Sequence, residues 1–291
     1  MSKVYYIGLL ITLFSCQREV EIEWPVPKPE LIIHCIFSSE NSFTVELSQP
    51  VSISDTTFQF VDDATVDIFE NENLFESLVP QDFGKYLGTK APQPGLTYSV
   101  KVEHPNFPTL SATSYIPIMI KPSRIELIDT AGIHEWGKPF SQFNISFSDP
   151  DDLANYYEVV AYSIDPQDNR ISSIIWPYSV TDPILTSEEI LESDPGSFVF
   201  SDNLINGKDY TVQVPIELIT KWSFGIVRFQ FISASEEYFR FKKSLIKHEF
   251  NQGGRELSFL IVNSGNPISI YSNVENGLGI FAGFSLYQTD Y

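Results

Sequence analysis

The sequence is poor in cysteine, histidine and basic side chains. Two cysteines in 291 residues allow one disulfide at most, so no disulfide framework holds this fold and a packed core must do so. The four histidines, at 34, 104, 134 and 248, form no cluster with metal-ligand spacing. Lys and Arg number 18 against 38 Asp and Glu, a formal charge of −20. Such a chain is repelled by nucleic acid and by anionic membrane surfaces, so no nucleic-acid partner is expected. No apolar run approaches the ~20 residues that a membrane-spanning helix needs. Nucleophile elbows of the G-x-S-x-G type are missing. His248-Glu249 and His134-Glu135 begin a zinc-protease pair, but Gln252 and Lys138 stand where the second histidine belongs. Gly277-Leu278-Gly279 reaches Gly283 one residue late for a dinucleotide fingerprint.

Apolar and aromatic residues are plentiful. Hydrophobic residues make up 43% and aromatics 14%, with 23 Phe and 14 Tyr, enough for a substantial core and in favour of strands. The 19 prolines fall mostly between apolar runs, where they punctuate strands.

The chain opens with Lys3, an apolar run from Val4 to Phe14, and Ser15-Cys16. A basic start, a short apolar stretch and a small residue are the layout of an export signal, residues 1–15. Leu13-Phe14-Ser15-Cys16 resembles the lipobox of bacterial lipoproteins, which implies a lipid on Cys16. Cys35, in the apolar run Leu31–Phe37, then has no intrachain partner and behaves as a small hydrophobe. Residues 16–29 read as a tether, with Glu19, Glu21 and Glu23 leading into the alternate prolines of Trp24-Pro25-Val26-Pro27-Lys28-Pro29, an extended and semi-rigid spacer. Acidic residues soon after a lipidated cysteine resemble the surface-export signal of Bacteroidota lipoproteins, which implies an outward-facing anchor.

Residues 30–117 read as an immunoglobulin-like or transthyretin-like β-sandwich. Phe43–Leu47 and Leu96–Val102 alternate apolar and polar, as half-buried strands do, and Glu70–Asn73 is a hairpin tip. Residues 118–291 read as a larger β-rich unit, making the whole chain mostly β. Residues 165–197 are loop-rich, with one helical turn near Thr186–Ile190. One helix is expected near 235–251: Ser235 caps it, Glu236 and Glu237 suit its first turn, and Tyr238, Phe241 and Leu245 share a face. Ile268–Tyr271 and Ile280–Phe284 read as two closing strands.

Two loops merit weighing as sites. Ser272–Gly279 combines Asn273, Glu275 and Asn276 with Gly277 and Gly279, and could cup a ligand. The plainer reading, a tight turn whose side chains satisfy backbone donors, is preferred. Asp149, Asp151, Asp152 and Asn155 bring together oxygen donors of the kind calcium takes. Leu153 and Ala154 break the EF-hand pattern, and Asp-Pro-Asp-Asp is a good turn starter, so no metal is expected. No catalytic set emerges, although a carboxylate pair brought together by the fold stays open.

The run Asn266–Phe281 resembles the closing motif of a Bacteroidota lipoprotein family, the domain of unknown function 4249. Pro94-Gly95-Leu96-Thr97-Tyr98, Asp149-Pro150 with Asn155-Tyr156-Tyr157, Asp202 with Asn206-Gly207-Lys208, and Ser235–Phe239 agree in order. The resemblance implies an outer-membrane lipoprotein encoded beside TonB-dependent receptors, with no catalytic residues and no cofactor beyond the lipid on Cys16. The expected role is a non-enzymatic accessory of such a transporter that binds it or its unidentified small ligand. The alternatives are an envelope scaffold that binds only proteins, or a hydrolase with an unrecognised carboxylate pair.

Overall fold

Alternation of apolar and polar residues builds most of this protein into strands, and two small sheets pack on one face of a single large one. The computed structural model describes residues 28–52, 57, 59–134, 137–151, 153–165, 167, 171–174, 180–188, 197–217, 226–251 and 268–291. The export segment 1–15, Cys16 and nearly all of the tether lie outside these. The first unit contributes β1 (Ile32–Ser38), β2 (Thr44–Gln49), β3 (Gln59–Phe60), β4 (Thr65–Glu70), β5 (Asn73–Ser77), β6 (Val79–Pro80), β7 (Lys85–Leu87), β8 (Thr97–His104) and β9 (Phe107–Tyr115). Then come β10 (Arg124–Ile133), β11 (Pro139–Ser148), β12 (Tyr156–Ile164), β13 (Ile171–Ile174), helix α1 (Pro183–Ser187), β14 (Ser197–Ser201), β15 (Asp209–Glu217), β16 (Ile226–Ala234), helix α2 (Glu236–Asn251) and β17 (Leu278–Asp290).

The large sheet has the order β13-β12-β16-β17-β1-β2-β7-β6, with β14 also on β12 and β3 also on β2. A four-stranded sheet, β5-β4-β8-β9, faces its β1-β2-β7 end, and a three-stranded sheet, β10-β11-β15, faces its β12-β16 end. Two cores result. Tyr98, Val100 and Val102 of β8 meet Val45 and Leu47 of β2 in the first, and Phe143, Ile145 and Phe147 of β11 meet Tyr157, Phe229 and Phe231 in the second. The mostly β architecture with one long helix near the C-terminus is as the sequence predicts. Helix α2 starts beside Ser235, whose Oγ accepts the Tyr238 N–H at 3.2 Å, and lies on the opposite face of the large sheet.

Strand β17 belongs to both units. Leu278–Phe284 pairs in parallel with β1, and Phe284–Asp290 pairs antiparallel with β16. Its Phe281 is fully buried in the first core, 4.6 Å from the Phe37 ring and 6.2 Å from that of Phe43. Residues 30–117 therefore do not complete their own sandwich. Hydroxyls fasten the connection further: Ser285 Oγ donates to Pro117 O at 2.6 Å, and Ser233 Oγ accepts the Ile120 N–H at 2.9 Å.

Three sequence expectations change. Ile268–Ile270 and Tyr271 form no strand; they pass over α2, where the Tyr271 N–H donates to Ser244 Oγ at 2.8 Å. The closing strand is longer than Ile280–Phe284, because its outer residues gain β1 at one end and β16 at the other. The loop-rich stretch 165–197 contains β13 on the sheet edge, and the helical turn expected near Thr186–Ile190 starts earlier, as α1 from Pro183 capped by Asp182, while β14 begins at the stretch's last residue.

Candidate functional site

The closing loop is built from short-range geometry. The Asn273 side chain behaves as a strand residue would: Oδ1 accepts the Phe281 N–H at 3.0 Å and Nδ2 donates to Phe281 O at 2.8 Å. Nδ2 also reaches Thr113 O at 3.2 Å. Two residues on, Glu275 forms a β-bridge to Ser111 of β9, with its N–H donating to Ser111 O at 2.8 Å. Ser111 Oγ donates to the Glu275 carboxylate at 3.3 Å. Asn276 sits at φ 60°, a left-handed conformation that Asn tolerates, and its Nδ2 donates to Thr109 O at 3.0 Å.

The glycines act by close approach. A Cβ on Gly277 would lie 2.6 Å from Leu110 Cδ1 and 2.8 Å from Leu31 O. At Gly279 both reasons coincide: φ is 113°, and a Cβ would fall 1.8 Å from Ile33 O. The five predicted residues thus share one segment but do not converge on a common space. They clasp the exposed edge of β9 to β1 and β17. A concavity of about 590 Å³ beside the clasp is lined by Lys28, Glu30, Pro108, Asn276, Gly277 and Leu278.

The 149–155 loop is also tied inward. Asp149, buried, accepts the Tyr157 hydroxyl at 2.5 Å and the Gly207 N–H at 3.0 Å. Asn155 uses its Nδ2 to donate to Pro150 O at 3.2 Å and Leu153 O at 2.9 Å, while its N–H donates to Asp202 at 2.8 Å. Asp151 is exposed, and Asp152 lies outside the described residues. Asp149 and Asn155 therefore tie down a turn. Among the described residues no set of three or more His, Cys, Asp or Glu side chains is placed to hold a metal. Burial, then the Asp149 charge, pushes the Tyr157 phenol well above its ordinary value, so it stays a donor.

Sequence reasoning missed the polar layer under α2. Glu158 of β12, 1% exposed, accepts from Ser197 Oγ and from the Tyr238 hydroxyl, and pairs with Lys242 at 3.1 Å. Glu188, just past α1, accepts from Ser201 Oγ, from the Ser201 N–H at 3.0 Å, and from Lys243 at 2.5 Å. Consecutive lysines of one helix thus neutralise two buried carboxylates, one on the sheet and one at the end of α1. Burial pushes the Glu188 carboxyl up, but Lys243 and Ser201 outweigh it and hold the group below its ordinary value. Tyr238 is driven well above its usual range by burial and by Glu158. A charge inside Tyr156-Tyr157-Glu158-Val159-Val160 was the available signal, since an ionised group in an apolar strand needs a buried partner. Among the described residues every buried side-chain nitrogen and oxygen has a hydrogen-bond partner. Asp182 completes this pattern: its carboxylate accepts from Ile184 N–H at 3.0 Å, Tyr210 hydroxyl at 2.8 Å and Gln213 N–H at 2.8 Å.

Comparison with known proteins adds the following. Residues 17–290 match the family described as Domain of unknown function (DUF4249). No curated protein matches the chain. One solved structure that it is similar to is a candidate membrane anchored protein from Corynebacterium diphtheriae, 13% identical, with 72% of this chain and 55% of that one covered and a TM-score of 0.24. This chain spans 55% of that protein's length, and a likeness of this size carries no argument. No described helix is long and apolar enough to cross a membrane.

Proposed function

The chain belongs to the DUF4249 family, and from that premise we propose that it is a non-enzymatic binding lipoprotein. It is held on the outer membrane through Cys16, faces outward and serves a TonB-dependent transporter. The observation that carries the non-enzymatic reading is the fate of the buried carboxylates. Glu158, Glu188, Asp149 and Asp182 each spend their oxygens on named internal donors, which favours a structural use over a reacting one. Strand β17, shared by both sandwiches, supports a rigid platform suited to presenting a surface at a distance from its anchor. The tether 16–29 supplies that distance, and the family resemblance of the closing motif supplies the transporter.

Affinity purification of the tagged full-length chain from outer membranes tests the reading. Enrichment of a TonB-dependent transporter is the expected result. Recovery without one under several nutrient conditions overturns the partner. Retention of Cys16→Ala in the membrane fraction overturns the anchor.

A further inference from the structure

Each of the two small sheets carries a concavity on the face turned away from its core. On the three-stranded sheet it measures about 360 Å³ and is lined by Ser123, Ser146, Ser148, Asp209 and Thr211 with the flanking Phe147 and Tyr210. Its hydroxyls are already spent. Ser146 and Thr211 share a hydrogen bond of 2.7 Å, Ser148 Oγ donates to Asp209 at 2.5 Å, and Ser123 Oγ donates to Ser146 O at 3.1 Å. On the four-stranded sheet the concavity measures about 410 Å³ and is lined by Asn71, Glu72, Thr97, Ser99 and Thr113. Here the side chains of all five make no hydrogen bond or ion pair within the described protein. Two hydroxylated hollows of similar size thus differ in one respect: the second keeps its polar groups available.

Strand alternation places these groups. Tyr98, Val100 and Ala112 point into the first core, so Thr97, Ser99 and Thr113 between and beside them point outward. The registers set Phe69, Ser99 and Thr113 in one outward row, and Thr97 with Tyr115 in the next. Both aromatic residues are half-buried, so the hydroxyls lie among apolar flanks. The tip between β4 and β5 closes one side. Asn71 at φ 46° and Glu72 at φ 72° both adopt the left-handed backbone that a tight hairpin turn takes. The Asn71 N–H donates to Thr97 O at 3.1 Å, and Asn73 Nδ2 donates to Asn71 O at 3.2 Å, which fixes the tip against β8. Such turns favour glycine after asparagine, and a glutamate there holds a carboxylate at the rim at a backbone cost.

We propose that the concavity on the four-stranded sheet binds a neutral oligosaccharide. Sugar hydroxyls both donate and accept, as the hydroxyls of Thr97, Ser99 and Thr113 do, while the Asn71 amide supplies both senses and Glu72 accepts. The C–H faces of a sugar ring suit the apolar flanks given by Phe69 and Tyr115. The volume falls in the range of about 300–1,000 Å³ that small-molecule sites occupy. Charge excludes the nearest rivals. No Lys or Arg lines the hollow, one carboxylate does, and the chain carries −20, so an anion is disfavoured. A single carboxylate among hydroxyls also falls short of the about 6–8 oxygen ligands of a calcium site. The proposal rests on the binding role proposed above and names the class of ligand. Saccharide binding and recovery of a transporter are separate measurements, so either can fail alone.

The test is saturation-transfer NMR of the full-length protein with maltotetraose, cellotetraose, mannotetraose and xylotetraose, beside the acidic tetragalacturonate, followed by calorimetric titration of whichever binds. At least one neutral tetrasaccharide is expected to bind, and tetragalacturonate is not. The double variant Ser99→Ala/Thr113→Val is expected to bind about tenfold or more weakly, as loss of two hydrogen-bonding hydroxyls does. Glu72→Gln, which keeps the side-chain shape and removes the charge, is expected to weaken binding as well. Thr211→Val, in the hollow whose hydroxyls are already paired, should leave binding unchanged. Valine suits a strand, and unchanged melting of each variant excludes unfolding as the cause. Binding of none of the neutral sugars overturns the proposal. So does binding of tetragalacturonate as tight as theirs, or binding untouched by both Ser99→Ala/Thr113→Val and Glu72→Gln. Loss of binding in Thr211→Val would place the sugar on the other sheet and overturn it too.

Discussion

Asn273 closes its side-chain amide onto both backbone groups of Phe281, accepting the N–H at 3.0 Å and donating to the carbonyl at 2.8 Å. One polar side chain thus substitutes for a strand neighbour at the position where Phe281 enters the first core. Asn273→Ala removes both partners and leaves buried backbone groups unpaired, for a cost of about 2–4 kcal/mol. Asn273→Asp keeps an acceptor but turns a second oxygen toward the Phe281 and Thr113 carbonyls. It should be at least as unstable at neutral pH. Urea unfolding of both variants checks this. Wild-type midpoints would show that the clasp contributes nothing.

The glycines of the closing motif should separate by mechanism. Gly279→Ala meets Ile33 O and a φ of 113° together, and should cost more than Gly277→Ala, whose Cβ meets a side-chain methyl of Leu110 and Leu31 O at an ordinary φ. Gly137 provides the reference: φ is 76° but nothing lies within 4 Å of a Cβ there, so Gly137→Ala should cost only the backbone penalty of about 1–2 kcal/mol. Thermal melts of the three variants give the order. If Gly279→Ala melts with Gly137→Ala, the close approach to Ile33 has no energetic weight.

The legible parts of this fold are those that repeat locally. Tyr98, Val100 and Val102 alternate with polar neighbours and form β8, and Tyr238 and Phe241 share a helical face and form α2. The closing motif was legible as a loop, and the structure gives its side chains the backbone-satisfying part. The double membership of β17 was not legible. Leu278 pairs with Ile32, nearly the whole chain away, and no local period encodes a strand that changes partners halfway along. The layer of Glu158, Ser197, Tyr238 and Lys242 was hidden for the same reason, since its members come from three separate elements. β13 was hidden by short length within a proline-broken stretch, whereas α1 was anticipated as a helical turn a few residues later than it forms.

Because β17 completes both sandwiches, loss of its residues should unfold both. Truncation before Leu278 removes Phe281 from the first core, a loss of about 3–5 kcal/mol for the ring alone, and strips β1 and β16 of their ladder partner. Hydrogen exchange on the truncated chain should show amides of β8 and β9 unprotected along with those of β16. Protection retained in β8 and β9 would mean that residues 30–117 hold together without the C-terminal strand.

The pair of Glu188 and Lys243 ties stability to pH in a defined direction. The folded carboxyl of Glu188 lies below its ordinary value, because Lys243 and Ser201 outweigh burial. A depressed folded value means that this contribution is complete above the unfolded carboxylate range, about pH 4.3, and is lost as pH falls through the folded value. Lys243→Met removes the cation 2.5 Å away and leaves a carboxylate that is 8% exposed. Burial is then opposed by Ser201 alone, so the folded value rises and the carboxylate becomes a liability at neutral pH. With Lys243 itself partly exposed, the cost at pH 7 should be about 1–3 kcal/mol rather than the full buried-pair figure. As pH falls below about 4.3 and on through the depressed folded value, the parent loses this contribution, and the gap between variant and parent should shrink. Chemical denaturation at pH 7 and pH 3.5 measures it. An equal gap at both values would assign Lys243 to packing on the Phe239 ring, over which its ammonium lies at 5.4 Å, instead of to the ion pair.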